Sequence, residues 1–199
     1  MKKILDWIFC RFRHVCPWWI CRGFDNVLRR LIHDPQKILA PHVRPGAAVL
    51  DVGPGMGYFT ITLARMAGEN GQVTAADIQE KMLKALERRA RRAGLEKRIR
   101  IHLCHSDSLL LNDKFDFILA FWMVHEVPDR ASFFKQLRAA IRPGGLLLLV
   151  EPKLHVAPEA FRRTCALALQ SGFTVDSEPA ISFSRSLLLV PAGGGTNKD

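Results

Sequence analysis

The segment 47–64, AAVLDVGPGMGYFTITLA, constrains the fold more than any other part of this sequence. It opens with a short apolar run that contains one acidic residue, Asp51, and whose composition is typical of a strand buried on both faces. The run is followed by three alternating glycines, which allow a sharp turn and a close approach of the backbone to a ligand: Gly53, Gly55 and Gly57. A helix is predicted next. The segment therefore predicts a strand, a nucleotide-cradling turn, and a helix whose N-terminus points at the ligand.

Predicted strands and helices alternate along the rest of the chain. The predicted strands are 47–52, 72–76, 99–103, 114–121, 146–150, 173–177 and 182–190. The predicted helices are 58–66, 79–93, 129–141 and 157–171, and the residues Arg142–Gly145 are predicted to form a turn before the fifth strand. Such alternation is typical of an α/β fold with a doubly wound, mostly parallel sheet of seven strands, in which ligands bind at the carboxyl ends of the strands.

The spacing of the glycines indicates which nucleotide class the turn binds. In the dinucleotide fingerprint G-x-G-x-x-G, the third glycine would stand where this chain has Tyr58. The string Asp51-x-Gly53-x-Gly55-x-Gly57 instead resembles the first motif of class I S-adenosylmethionine-dependent methyltransferases, and the resemblance extends over about residues 36–190. It implies that S-adenosylmethionine is the cofactor, that the last strand is antiparallel, and that an N-terminal helix caps the site.

Several residues are candidates for binding the cofactor. Asp77 ends the second predicted strand, where a carboxylate can accept both ribose hydroxyl protons; the alternative is that it caps the next helix. The resemblance implies that Asp107 accepts a hydrogen bond from the adenine amino group, although Asp and Ser are also ordinary turn residues. Asp51 is expected to fix the loop or to contact the cofactor's amino group. The complete set of candidates is Asp51, Gly53, Gly55, Gly57, Asp77, Ile78, Ser106, Asp107 and Phe121.

The methyl acceptor is expected beyond the fourth and fifth strands. The strings His125-Glu126-Val127-Pro128-Asp129 and Arg142-Pro143-Gly144-Gly145 resemble small-molecule methyltransferases of the ubiquinone-biosynthesis type. His125 and His155 are candidate general bases if the acceptor is a hydroxyl, whereas a thiolate or carbanion needs none. His125 packing at the sheet edge and Asp129 starting a helix are the structural alternatives. The candidates for substrate binding are Trp122, Glu126 and Glu151.

Charge and composition leave two other functions open. The chain has 199 residues and a formal net charge of +10, much of it in and after the predicted helix 79–93. This basic face is typical of a solvated helix, and RNA methylation is the alternative. Base methylation is disfavoured because the chain lacks an Asn-Pro-Pro-Tyr motif and a Pro-Cys nucleophile. A non-catalytic module that only binds the cofactor is the second alternative.

The ends of the chain predict the remaining organisation. Residues 1–35 are expected to form an amphipathic helical lid, with binding to a membrane surface as the alternative. Residues 36–191 are expected to form the methyltransferase domain, and 192–199 a disordered tail. No apolar run is long enough to span a bilayer, and the odd number of cysteines favours reduced thiols in a cytoplasmic protein. The spacing of Cys10, Cys16 and Cys21 matches no standard zinc pattern, so no metal site is expected.

Overall fold

The computed structural model describes residues 31–193. In this part of the chain the strands are β1 (Ala48–Val52), β2 (Gln72–Asp77), β3 (Ile99–Leu103), β4 (Phe115–Phe121), β5 (Ile141–Pro152), β6 (Phe173–Ser177) and β7 (Ser184–Pro191). The helices that lie wholly within these residues are α1 (Pro35–Leu39), α2 (Thr60–Ala67), α3 (Glu80–Arg92), α4 (Arg130–Ala140) and α5 (Pro158–Gln170), and a 3-10 turn spans Val124–Glu126.

The seven strands form one sheet in the order β3-β2-β1-β4-β5-β7-β6. The strands β1 to β5 are mutually parallel, whereas β7 runs antiparallel to both of its neighbours, β5 and β6. The sequence-based prediction of a mostly parallel seven-stranded sheet with an antiparallel last strand is therefore confirmed. Because β1 and β4 lie side by side although β2 and β3 separate them in the chain, the strand order reverses here, and ligands bind at such a switch point.

The sheet is covered by helices on both faces, and successive residues of β1 show how the two cores are built. Val49 packs with one cluster, which includes Leu63 of α2 and Leu86 of α3. Leu50 packs with the other, which includes Leu137 of α4 and Ala168 of α5. Since side chains alternate between the faces of a strand, a continuous apolar run fills both layers, as the run 47–52 predicts.

The fifth strand begins earlier than predicted. Ile141 already pairs with Phe115, and Leu146 pairs with Phe117, so residues 142–145 belong to a bulged start of β5 and not to a turn ahead of it. The prediction was wrong at this boundary because Pro and Gly usually stop an element. Here Gly144 adopts a φ of +74°, which lets the chain bulge without leaving the sheet.

Three expectations about the ends of the chain fall largely or wholly outside the described residues. Only 31–35 of the expected lid and 192–193 of the expected tail lie within them, and Cys10, Cys16 and Cys21 do not. No helix within 31–193 has the length and apolar character needed to cross a membrane. The same range contains no group of three or more His, Cys, Asp or Glu residues arranged to hold a metal ion.

Candidate active site

The glycine turn after β1 leaves room for a ligand at one of its three positions. All three glycines have positive φ values. A Cβ on Gly53 would lie 2.9 Å from the Cβ of Met123, and one on Gly57 would lie 2.9 Å from the Cγ of Leu86, whereas a Cβ on Gly55 would meet no atom within 4 Å. Gly53 and Gly57 therefore permit close packing within the protein, and Gly55 faces open space.

Asp77 ends β2 beside this turn. Its Oδ1 accepts a hydrogen bond from the backbone N–H of Gln79 at 2.8 Å. Burial raises the pKa of Asp77 to about 6, and backbone N–H groups of Gln79, Gly55 and Ile78 partly oppose the rise. Gln79 is itself the N-cap of α3. A buried carboxylate next to Gly55 is suited to accept hydrogen bonds from the hydroxyls of a ribose.

Asp51 links β1 to the helix after the turn. Its Oδ2 accepts a hydrogen bond of 2.6 Å from the Oγ1 of Thr60, the first residue of α2. Burial raises the pKa of Asp51 to about 7; the Thr60 hydrogen bond opposes this rise, and the charge of Asp77 adds to it. Thr60 was not among the residues predicted from the sequence. The contact fixes the two ends of the glycine turn relative to each other.

The loop after β3 adds the residues expected at the adenine end. It joins the end of β2 through a hydrogen bond of 3.1 Å from the N–H of Cys104 to the carbonyl of Asp77. Ser106 and Asp107 are exposed in this loop, and Ile78 is 40% exposed beside it. An exposed apolar side chain and an exposed acidic loop near the buried carboxylate of Asp77 fit a purine nucleoside. The residues at this edge therefore fit S-adenosylmethionine.

Aromatic side chains follow β4. Phe121 is buried, with its ring centroid 4.3 Å from that of Phe59 and 5.6 Å from that of Trp122. Trp122 has a φ of +60°, and its indole Nε1 donates to the Oγ of Ser184 at 3.0 Å. A non-glycine residue with positive φ is uncommon, and such strained positions cluster at functional sites.

His33 completes this aromatic group, although no sequence pattern predicted it. Its ring lies 4.9 Å from that of Trp122, edge to face. Its Nε2 lies 2.7 Å from the carbonyl of Ser182, and its own carbonyl accepts a hydrogen bond from the hydroxyl of Tyr58. Because 149 residues separate His33 from Ser182, no local pattern reveals this contact.

His125 and Glu151 form a dyad at the ends of β4 and β5. The Oε1 of Glu151 accepts a hydrogen bond from the backbone N–H of His125 at 2.8 Å, and its Oε2 lies 2.6 Å from the Nδ1 of the imidazole. Since a carboxylate only accepts, Nδ1 carries the proton and Nε2 is left as the basic nitrogen. Burial opposes the charged imidazolium, but the hydrogen bond and charge of Glu151, with the charge of Glu126, raise the pKa of His125.

The other residues predicted near His125 differ in burial and in their contacts with its ring. Glu151 is wholly buried with both oxygens on His125, whereas the sequence predicted that it would bind substrate. The Oε1 of Glu126 lies 3.9 Å from the Nε2 of His125. His155 is exposed, and the centroid of its ring lies 6.4 Å from that of His125, with the two rings stacked. The pKa of His155 is lowered, first by partial burial of the ring and second by the charge of His125.

Arg130 holds the turn that carries His125. Its guanidinium donates to the carbonyl of Val124 at 3.2 Å, to that of His125 at 3.1 Å, and to the hydroxyl of Thr164 in α5 at 3.3 Å. The next residue back, Asp129, starts α4, because its Oδ1 accepts from the N–H of Ser132. Asp129 therefore starts a helix, which is the structural alternative predicted for it. Arg130, which holds the turn that carries His125, was not predicted from the sequence.

Two basic residues of helix α3 form ion pairs with acidic residues of the same helix. Lys84 pairs with Glu80 and Arg91 with Glu87, each one turn apart, and the side chains are exposed. Exposed pairs of this kind are typical of a solvated helix face.

Part of the chain matches known proteins in sequence. A family model described as "Methyltransferase domain" matches residues 49–145, about half of the chain. The chain is 32% identical over 123 residues to a demethylmenaquinone methyltransferase of Bacillus subtilis, covering 60% of this chain and 50% of that protein. It is 33% identical over 109 residues to a ubiquinone/menaquinone biosynthesis C-methyltransferase of Shewanella sediminis, covering 54% and 43%. The chain thus spans about half the length of these curated relatives.

A solved structure shows the same fold over nearly the whole chain. It is a SAM-dependent methyltransferase from Aquifex aeolicus, with a TM-score of 0.81 at 23% identity, covering 89% of this chain and 100% of that one. The likeness in fold, the matching family model and the sequence relatives agree with the glycine motif and the strand order. The chain belongs to the class I S-adenosylmethionine-dependent methyltransferases.

Proposed function

We propose that this protein transfers a methyl group from S-adenosylmethionine to a ring carbon of a dihydroxylated aromatic compound, the chemical class of a reduced quinone. The observation that carries the proposal is the His125–Glu151 dyad, a base held in one tautomer at the carboxyl edge of the sheet. The names of the two curated relatives, which act on menaquinone or ubiquinone precursors, support the same class of acceptor.

The cofactor residues have distinct parts in this proposal. Asp77 accepts hydrogen bonds from the ribose, Gly55 admits the cofactor against the backbone, and Asp107 with Ile78 borders the adenine. Asp51 keeps the glycine turn in place through Thr60. When bound, S-adenosylmethionine supplies an electrophilic methyl group on a sulfonium, so the protein must chiefly align donor and acceptor.

His125 makes the acceptor carbon nucleophilic. Its Nε2 takes the proton of a ring hydroxyl, and the freed electron pair moves through the ring to the carbon that bonds to the methyl group. Glu151 stabilises the imidazolium that results, because it already raises the pKa of His125. The bond between the ring carbon and the methyl group would form as the carbon–sulfur bond of the sulfonium breaks, with its electron pair staying on sulfur as a neutral thioether. The hydrogen on the methylated carbon then leaves as a proton, the ring oxygen regains one proton from solvent and aromaticity returns, so the net reaction releases one proton.

The groups beside the dyad have supporting parts. The exposed ring of His155 stacks beside that of His125, so it is placed to relay a proton between the dyad and solvent. Glu126, whose Oε1 lies 3.9 Å from Nε2, is placed to contact the acceptor. Trp122, which follows β4 and donates to Ser184, is assigned to the acceptor as well. Phe121 lies behind Trp122 and shapes the wall of the site.

The test uses purified protein, S-adenosylmethionine with a labelled methyl group, and a chemically reduced naphthoquinone that lacks the ring methyl. We expect label on the ring carbon, with transfer falling about 10²-fold or more in His125→Gln. His42→Gln is the matched control, because His42 stacks on Phe117 in the core and lies away from the dyad. Transfer that is unchanged in His125→Gln contradicts the proposed base.

The same assay separates the other functions. Label in RNA, with binding that weakens steeply as salt rises, would favour the RNA alternative. Cofactor binding without transfer to any acceptor would favour the non-catalytic alternative. We place the reaction in the cytoplasm, in keeping with the two described cysteines, Cys104 and Cys165, which are both free thiols.

A further inference from the structure

Exposed apolar side chains converge at one edge of the sheet. Leu154, just after β5, is 87% exposed, and Phe183, just before β7, is 61% exposed. Leu31 and Ile32 are exposed as well, at 79% and 38%. We call these four residues the apolar edge. Single exposed hydrophobics are normal, but several at one place mark an interaction site.

Backbone contacts hold the members of the apolar edge together. The N–H of Lys153 donates to the carbonyl of Phe183 at 2.9 Å, which ties the loop after β5 to the loop before β7. Leu154 follows the first of these residues directly. The neighbours Leu31 and Ile32 reach the same place because His33 contacts the carbonyl of Ser182. The apolar edge is therefore a single surface built from three separate parts of the chain.

The backbone of Phe183 is strained in a way that keeps its ring outside the core. Its φ is +54°, in the left-handed region that aromatic residues rarely occupy. The turn is closed by a hydrogen bond of 3.1 Å from the N–H of Ser184 to the carbonyl of Ile181, whose side chain is buried. Strain of this kind points to a function at the position where it is observed.

The charges beside the apolar edge are mainly positive. Phe183 borders a cavity of about 730 Å³ that is also lined by three cations, Lys153, Arg162 and Arg185, and by one carboxylate, Glu178. Arg162 pairs with Glu159, and Arg185 donates to the carbonyl of Val156. Lys153 is exposed next to Leu154. In an anionic bilayer the acyl chains lie beneath a layer of phosphates. Exposed apolar side chains beside cations suit such a surface, because the apolar groups can contact the acyl chains while the cations contact the phosphates.

We infer that the apolar edge docks on an anionic lipid bilayer, with Leu154 and Phe183 entering the boundary between headgroups and acyl chains. The candidate active site opens beside this surface, because Ser184 follows Phe183 and bonds to the indole of Trp122. A methyl acceptor with a lipid tail would then reach the dyad from the membrane. Docking itself does not depend on methyl transfer, so it is tested separately from the proposed function.

The test is co-sedimentation of the full chain with vesicles of phosphatidylcholine, with and without phosphatidylglycerol. The test variant combines Leu154→Gln with Phe183→Asn, because asparagine tolerates a positive φ and should keep the turn. The matched control combines Leu169→Gln with Leu110→Asn, since Leu169 is 45% exposed and Leu110 is exposed with a φ of +51°. Cofactor affinity in all three proteins checks that they are folded.

We expect wild type and control to bind the anionic vesicles equally, and the test variant to bind them about tenfold or more weakly. Binding should weaken as salt is added, because Lys153 and its neighbours contribute electrostatically. Equal binding by all three proteins would overturn the inference and assign membrane binding to another part of the chain. Absence of wild-type binding to the anionic vesicles would overturn it as well.

Discussion

Glu151 accepts two hydrogen bonds from one residue, His125: one from its backbone N–H and one from its imidazole Nδ1. The carboxylate is fully buried, so both of its oxygens are committed to this partner. One contact fixes the backbone of the 3-10 turn, and the other fixes the tautomer of the ring. Glu151 thus determines both where Nε2 lies and whether it is basic.

Replacing Glu151 by Gln should lower kcat by about 10²-fold. The amide offers one acceptor and one donor, so it favours the imidazole tautomer that carries its proton on Nε2. Because Glu151 raises the pKa of His125, and the base must be neutral, the rise of kcat with pH should also move to lower pH in the variant. The measurement is a pH profile of kcat for both proteins. A midpoint that stays in place contradicts the pairing.

Arg130→Met should lower kcat with little change in the KM for S-adenosylmethionine. The guanidinium holds the carbonyls of Val124 and His125, so its loss frees the turn but leaves the cofactor residues untouched. We expect a loss of about tenfold or more, because small displacements of a base are costly. Arg138→Met is the control, since Arg138 holds the carbonyl of Gly172 away from the dyad. Equal losses in both variants would contradict a positioning role.

Gly55→Ala should weaken S-adenosylmethionine binding by more than tenfold while leaving the protein folded. The added methyl group meets no protein atom within 4 Å and points into the space assigned to the cofactor. Gly94→Ala is the matched control, because Gly94 also has a positive φ and open space around it. Both substitutions cost about 1 kcal/mol of backbone strain. Calorimetric titration should show lost affinity only for Gly55→Ala, and equal affinities would contradict the assignment.

Asp51→Asn should stabilise the protein without cofactor at pH 8 by about 1–3 kcal/mol. Burial raises the pKa of Asp51 from 3.8 to about 7. The folded state therefore binds a proton that the unfolded state has lost, and wild-type stability falls as the pH rises from about 4 to about 7. Asparagine is neutral throughout, so the difference should vanish near pH 4. Urea unfolding at both pH values measures it, with the exposed Asp176→Asn as a control.

A large part of the fold could be predicted because its signals are local. The apolar runs predict buried parallel strands, and the glycines at 53, 55 and 57 have the positive φ values that their residue type allows. The glycines at 144 and 145 show the limit of this reasoning. Their composition predicts a turn, but pairing of Ile141 with Phe115 continues the strand through them, because sheet hydrogen bonds outweigh the local preference.

Only part of the candidate site could be predicted, because only some of its residues are marked by a local sequence pattern. Asp77, His125 and Glu151 stand directly after or at the end of apolar runs, so the parallel topology alone brings them to one edge. The residues that contact them do not stand beside such apolar runs. Thr60 and Arg130 each lie within an ordinary helix sequence, and His33 lies far from Ser182 in the chain, so only the folded structure joins them to the site.

The sequence by itself determined the alternation of strands and helices, the family and the position of the glycine turn, because these follow from periodicity and residue type over short stretches. The tertiary structure alone decided that Glu151 is buried and binds His125, and that Gly55 faces open space whereas Gly53 and Gly57 do not. It also decided that Lys153, the residue before Leu154, bonds to Phe183 at one edge of the sheet. Each of these depends on contacts between distant residues, whose distances are set by packing and strand register and by no pattern within a single segment.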